Sequence, residues 1–281
     1  MLSFEYIDKI IKTALDEDIN YIDITSDYMI DGQQISSGRF VSKASGIVCG
    51  IYIAMRVFEL LDSDFKCDIH VKDGQAVKNG DVIVEFSGKT VCLLKGERTA
   101  LNLIQHLSGI ATATEACVRL TEGTKAMITD TRKTLPGLRA LQKYAVTVGG
   151  GKNHRFNLSD GAMLKDNHID VGGGIALSVE KLRRRLGHMV KIEVETRSLD
   201  EVSQALSAGA DIIMLDNMSN SEMAEAVKLV NGKALLEASG NMTSQRIAEV
   251  AKTGVDIISL GAITHSVTAF DISMKMDKNL V

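Results

Sequence analysis

The chain is 281 residues long and carries a formal net charge of −4 at pH 7. Apolar residues make up 45% and charged residues 24%, an ordinary globular balance with room for one large α/β domain or a barrel with a smaller companion. The acidic balance and the lack of an aromatic–basic surface pattern argue against a nucleic-acid surface, and no apolar run reaches the roughly 20 residues of a membrane span.

The first predicted element is a helix from Ser3 to Glu17, with Phe4, Ile7, Ile10, Ile11 and Leu15 on one face. Met1 to Asp18 mixes acids and lysines with apolar residues, unlike a signal peptide. Cys49, Cys67, Cys92 and Cys117 form no Cys-x-x-Cys pair. Neither a zinc site nor a disulfide framework is expected, and the free thiols suit a cytoplasmic protein. Asp23 and Thr25 open a strand-rich region, with strands at Arg39–Val48 and Val82–Phe86 and turns at Gly74 and Gly80. Helices are predicted at Ile51–Leu61 and Glu97–Arg119. Residues 1–110 read as an α+β unit of common domain size.

After Arg119 the rhythm changes. Short apolar runs at Ala126–Thr129, Ala162–Leu164, Lys191–Val194, Asp211–Leu215, Ala234–Leu236 and Asp256–Leu260 alternate with segments of helical periodicity. Three of these segments are Leu199–Ala208, Ser221–Val230 and Ser244–Thr253. The later runs recur about every twenty residues, as in βα units. Each run ends in a polar residue or glycine: Asp130, Lys165, Glu195, Asp216, Glu237 with Ser239, and Gly261. A parallel βα barrel puts its functional groups at that position, where strands end and loops begin. Six units rather than eight predict an incomplete, open barrel over residues 111–281. A doubly wound open sheet is the alternative, weakened by the lack of Gly-x-Gly-x-x-Gly after a first strand.

Between Thr131 and Lys165 stand seven Lys or Arg residues and one acid, Asp160. A cationic island in an acidic chain points to a small, highly anionic ligand. Arg132 and Lys133 follow the first barrel strand, pairing a planar fork with a compact charge. His154 and Arg155 follow Gly149-Gly150-Gly151, whose backbone can approach a ligand. Lys165 ends an apolar strand and needs an anion or Asp216 beside it. Glu195 and Asp216 end consecutive strands about 4.8 Å apart, so they converge. They suit a Mg²⁺ ion, held directly or through water, or else ion pairs with the island. Glu193, two residues earlier, points the same way but deeper. Ser239, Gly240, Asn241, Gly261 and Ala262 are small residues of the kind that bind phosphate in the last loops of a barrel. His265, at the start of a predicted helix, faces that pocket. Arg98, alone, reads as a helix surface charge.

These residues together resemble the quinolinate phosphoribosyltransferase family. The matching stretches run through the chain in order: Glu97-Arg-Thr-Ala-Leu-Asn102, Asp130-Thr-Arg-Lys-Thr134, Pro136-Gly137, Lys143-Tyr-Ala-Val146, Gly149-Gly-Gly151 and Asn153-His-Arg155. They continue with Lys165-Asp-Asn-His168, Glu193-Val-Glu195, Leu215-Asp-Asn217, Glu237-Ala-Ser-Gly240 and Gly261-Ala262. Ile22 departs from the pattern, which usually has glycine there, in a turn away from the pocket.

The resemblance implies an N-terminal α/β sandwich domain (1–110) joined to an incomplete α/β barrel catalytic domain (111–281), with the last residues free to return to the first. It implies a homodimer, or an assembly of dimers, in which Arg98 is donated across the interface. The implied reaction joins quinolinate to phosphoribosyl pyrophosphate, yielding nicotinate mononucleotide, pyrophosphate and CO₂ in NAD biosynthesis. Arg98, Arg132, His154, Arg155 and Lys165 would then clamp quinolinate. Lys133 and Mg²⁺ on Glu195 and Asp216 would meet the pyrophosphate. A related pyrophosphorylase-like protein of molybdate transport shares the Thr-Arg-Lys start, but the intact Lys165-Asp-Asn-His168 and Asn153-His-Arg155 favour quinolinate. A non-catalytic anion sensor would need the cations but not Glu195 and Asp216.

Overall fold

The computed structural model describes residues 3–277. The chain opens with α1 (Phe4–Ile19), whose N-cap Ser3 accepts the Tyr6 N–H and whose buried stripe is Ile7, Ile11 and Leu15. Next comes α2 (Ile24–Met29), where a strand-rich segment was expected. Asp23 decides this locally: its carboxylate accepts the N–H groups of Thr25 and Ser26 and caps a helix. There follow β1 (Ile35–Ser42), β2 (Gly46–Ile47), α3 (Ile51–Leu61), β3 (Lys66–Ile69), β4 (Ala76–Val77), β5 (Val82–Lys89) and α4 (Thr90–Arg119). The predicted strand Arg39–Val48 is thus two pieces. Further on come β6 (Met127–Thr129), α5 (Arg139–Val148), β7 (Ala162–Leu164), α6 (Asp166–Gly172), α7 (Ile175–Arg183), β8 (Ile192–Thr196) and α8 (Leu199–Ser207). The last elements are β9 (Ile212–Asp216), α9 (Asn220–Val230), β10 (Leu235–Ser239), α10 (Ser244–Ala251), β11 (Ile257–Ser259), α11 (Ala262–His265) and β12 (Ile272–Met276).

These elements form two compact units. The first holds the residues up to Glu115, Leu135–Gly150 and the chain from Ser266 on. Its sheet is four-stranded, in the order β12-β1-β5-β3, with antiparallel neighbours. Phe40, Phe58, Phe65 and Phe86 pack together there, with ring centroids 5.3–6.1 Å apart in edge-on, stacked and tilted pairs. The boundary expected at 110/111 falls inside α4, and α5 and β12 both group with the first unit.

Gly149 shows why α5 belongs there. A Cβ on it would lie 2.4 Å from the Ala111 carbonyl oxygen on α4 and 2.7 Å from Thr114. Gly149 and Gly150 donate their N–H groups back to Ala145 and Thr147. Those two glycines of the triplet serve helix packing and termination, not the ligand contact expected of them.

The second unit, Ala116–Thr134 with Gly151–His265, is built on a six-stranded parallel sheet in the order β6-β11-β10-β9-β8-β7. Every apolar run expected to be a strand is one. Ser198, Ser219 and Thr243 cap α8, α9 and α10 by accepting N–H groups from the first turns. Among the described residues no pairing joins the edges β6 and β7, so the barrel is incomplete. After α5 the chain returns beside β6, with Lys152 bridged in parallel to Thr129. No helix among the described residues is long and apolar enough to cross a membrane.

Candidate active site

Register explains the convergence of the strand ends. In a strand alternate side chains share a face, and paired residues of neighbouring strands point the same way. Glu195 pairs with Met214, and Met214 with Glu237. One row further along, Asp216 pairs with Ser239. One row deeper, Met163 pairs with Glu193. These side chains therefore point into the barrel, and the loops after each strand close over them.

The result is a cavity of about 430 Å³, lined by Thr131, Arg132, Lys133, His154, Arg155, Lys165, Glu195 and Asp216. Met163, Met214, Glu237, Ser239 and Ser259 complete its wall. A second compartment of about 500 Å³ shares Thr131, Lys133, Asp216, Ser239 and Ser259 with the first. It adds Asn217, Gly240, Asn241, Gly261, Ala262 and His265. The site has one cationic chamber and one chamber of small polar residues, and Lys133 and Asp216 stand in both.

The cations are fixed by local contacts. Lys165 donates to Glu195 Oε2 at 3.1 Å, so its partner is Glu195, not the Asp216 considered from sequence. Arg197 lies 3.7 Å from Glu195 Oε1 and 2.9 Å from Asp166. The Arg155 guanidinium donates to the Gly161 carbonyl at 2.9 Å and to Met163 Sδ at 3.4 Å. Burial pulls its pKa down, and the like charge of Arg132 pulls it further, partly offset by Glu193 and Asp160. Two guanidinium groups sharing one cavity repel, which is a cost that an anionic ligand relieves. Of the seven cations of the island, Arg132, Lys133, Arg155 and Lys165 line the cavity, while Arg139 and Lys143 belong to α5 in the first unit.

Lys133 is held through its backbone. Its N–H donates to Thr131 Oγ1 at 3.0 Å, and its carbonyl accepts from Thr264 Oγ1 at 2.8 Å. Asp216 is flanked by Asn217, whose side-chain amide donates to Asp216 Oδ2 at 3.0 Å. Asn217 also accepts from Asn241 at 3.2 Å. Gly240 has φ +96, and a Cβ there would lie 2.2 Å from Asn217 Oδ1, so glycine is required on both counts. His265 ends α11 rather than starting a helix, and it lines the second compartment as expected.

Beneath His154 lie two buried acids. His154 Nε2 is 3.0 Å from Glu193 Oε2 and 3.5 Å from Glu237 Oε2, with these side chains 4% and 1% exposed. Burial and the neighbouring Glu193 push Glu237 up to about 7, with His154 pulling partly back. One ligand atom from each of the three lies within 4.8 Å of the others. Sequence reasoning placed Glu193 on this side of its strand but assigned it and Glu237 no role. Stepping back two residues from Glu195 and Ser239 along the same strand faces would have found both. Met163 and Met214 carried no chemical signal and emerge only from register. Arg98 is exposed on α4, in the first unit.

An incomplete parallel βα barrel with a cation-lined cavity at its strand C-termini has the architecture of a barrel enzyme. The models of the "Quinolinate phosphoribosyl transferase" N-terminal and C-terminal domains match residues 23–108 and 110–275. A protein of Bacillus subtilis (strain 168), named a probable nicotinate-nucleotide pyrophosphorylase [carboxylating], is 47% identical over 92% of this chain and 89% of its own length. A Nicotiana tabacum mitochondrial quinolinate phosphoribosyltransferase [decarboxylating] is 39% identical over 97% of this chain and 82% of its own. The crystal structure of NadC from Streptococcus pyogenes superposes with a TM-score of 0.95 at 40% identity, covering 98% of this chain and 97% of that one. The chain belongs to the quinolinate phosphoribosyltransferase family.

Proposed function

We propose that this protein transfers the phosphoribosyl group of phosphoribosyl pyrophosphate to quinolinate with loss of one carboxylate, forming nicotinate mononucleotide, pyrophosphate and CO₂. The single observation that carries this is the pair of adjoining chambers that share Lys133 and Asp216. A pyridine diacid fits the cationic chamber, and a phosphorylated sugar fits the one lined by Ser239, Gly240, Asn241, Gly261, Ala262 and His265. The shared wall is where the two substrates would react.

Arg132, Arg155 and Lys165 bind the two carboxylates and so aim the ring nitrogen at the ribose carbon. Holding two reactants in line removes several kcal/mol of entropic barrier. Lys133, at the junction, meets the phosphate charge that grows as pyrophosphate leaves. The ribose carbon becomes cationic as that bond breaks, and Glu195 and Asp216 stabilise it or hold ribose hydroxyls. Once alkylated, the ring nitrogen is positive and itself stabilises the electron pair left by the departing CO₂. No protein electron sink is needed.

Glu195 and Asp216 are hard oxygen donors, with neither sulfur nor imidazole in the pair, which fits Mg²⁺ held directly or through water. Bound there, Mg²⁺ would neutralise charge on the leaving pyrophosphate.

Arg98, exposed on its helix, is the further cation, delivered to the diacid by a second copy in a homodimer. Exposed Tyr21, Ile24, Tyr28 and Met29 around α2 support a face that a second copy covers. Four cysteines outside any disulfide support a cytoplasmic location.

The test is a product assay. Quinolinate and phosphoribosyl pyrophosphate supplied together should yield nicotinate mononucleotide and CO₂ in equal amounts, and neither substrate alone should. Calorimetric binding of quinolinate without any product would replace the reading with an anion sensor.

A further inference from the structure

We infer that Glu193 is a positioning residue that acts through His154 on Arg155, with Glu237, itself in the chamber wall, bracing the same ring; this rests on the reading above that Arg155 meets the diacid. The backbone N–H of Arg155 donates to His154 Nδ1 at 2.7 Å. A backbone N–H can only donate, so Nδ1 is unprotonated and the ring proton sits on Nε2. Nε2 faces Glu193 Oε2 at 3.0 Å and Glu237 Oε2 at 3.5 Å. That proton lies where a cation shared by the three residues would sit, so the trio is a hydrogen-bonded unit and not a metal site.

The imidazole is therefore gripped at both edges, by the acids on one side and by the main chain of Arg155 on the other. The main chain is tied once more: the His154 N–H donates to Asp130 Oδ1 at 2.9 Å, and Asp130 is fully buried. Glu193 does not line the cationic chamber. It lines an adjoining cavity of about 400 Å³, which shares His154, Arg155 and Glu237 with the chamber and is bounded by Ala162, Ile212 and Ile257 at or near the beginnings of their strands. Its hydrogen-bonding contact toward the chamber is His154 Nε2, and its charge also acts on Arg155. Burying two carboxylates is costly, and Glu193 Oε1 and Glu237 Oε1 have no hydrogen-bond partner. A core chosen for stability alone would hold apolar side chains there. Both face the imidazole whose angle sets the Arg155 backbone.

The test combines imidazole ¹⁵N NMR of the full-length protein with steady-state kinetics of Glu193→Gln, Glu193→Met and Glu237→Gln, each also made in a His154→Phe background. His154 Nδ1 should show the shift of an unprotonated nitrogen. Glu193→Met should raise KM for quinolinate about tenfold and leave KM for phosphoribosyl pyrophosphate within about twofold, the size expected for one lost hydrogen bond. Glu193→Gln should restore KM, because its amide oxygen still accepts from Nε2–H. In the His154→Phe background the difference between Met and Gln should vanish. A protonated Nδ1, equal rises in both KM values, or a Met–Gln difference that persists without His154 would each overturn the inference. Should Glu193→Met fail to fold, the Nδ1 shift in the parent protein and in Glu237→Gln decides. A parent protein that makes no product refutes the proposed reaction but leaves the NMR result standing, so the two failures are distinguishable.

Discussion

Lys165 Nζ donates to Glu195 Oε2 at 3.1 Å, and Glu195 is the more buried of the two, with its side chain 10% exposed against 50%. The cation that would take a substrate carboxylate is thus already engaged with an acid that would face the sugar and metal. Lys165→Met removes that cation and leaves Glu195 without its nearest partner. A charged hydrogen bond is worth about 1.5–3 kcal/mol, so kcat/KM for quinolinate should fall roughly 10- to 150-fold. Unchanged kcat/KM for quinolinate would remove Lys165 from the clamp.

Arg132 is exposed, and its neighbourhood to Arg155 is a repulsion and not a support. Arg132→Ala should therefore abolish measurable turnover while shifting stability by less than about 0.5 kcal/mol. A purified, folded variant with near-normal turnover would refute the clamp.

Two glycines of the second chamber should behave differently. At Gly261 a Cβ would lie 2.8 Å from Lys133 Cδ and 3.1 Å from the His265 ring, both movable side-chain atoms. Gly261→Ala should fold normally and raise KM for phosphoribosyl pyrophosphate by displacing Lys133. At Gly240 the backbone itself is left-handed, with φ +96. Gly240→Ala should cost about 1–3 kcal/mol of stability, read as a lower thermal midpoint. Equal midpoints for the two variants would contradict the assigned strain.

Glu237 predicts a pH signature. Its carboxyl is pushed up from the ordinary 4.5 to about 7 by burial and by Glu193. A group whose pKa is raised on folding stabilises the protein fully below its unfolded value. That contribution is lost as pH rises through the folded value. Compared with Glu237→Gln, which cannot titrate, the parent protein should lose stability between about pH 4.5 and pH 7 and level off above. Parallel stability–pH curves for the two proteins would refute the shift.

The Mg²⁺ assignment predicts that excess EDTA abolishes turnover and that added Mg²⁺ restores it. Full activity in EDTA would leave Glu195 and Asp216 with the ribose alone.

The sequence by itself determined the six barrel strands and the polar residue that ends each, because a parallel strand buried on both faces writes a short apolar run and stops at a loop. It also made legible most of the charged lining of the candidate site, since Arg132, Lys133, Lys165, Glu195 and Asp216 sit at or just after those stops and were readable one by one. What it could not hold was register. Only the pairing of Glu195 with Met214 and of Met214 with Glu237 puts two methionines and a buried acid into the same wall. Only the turn of the chain at 154–155 sets the His154 ring between Arg155 and Glu193. The tertiary structure likewise divided the cationic island, giving Arg139 and Lys143 to α5 of the first unit. The physical reason is the same in each case: periodicity reports which face of an element is apolar. Which side chains meet across that face depends on pairings between residues far apart in the chain.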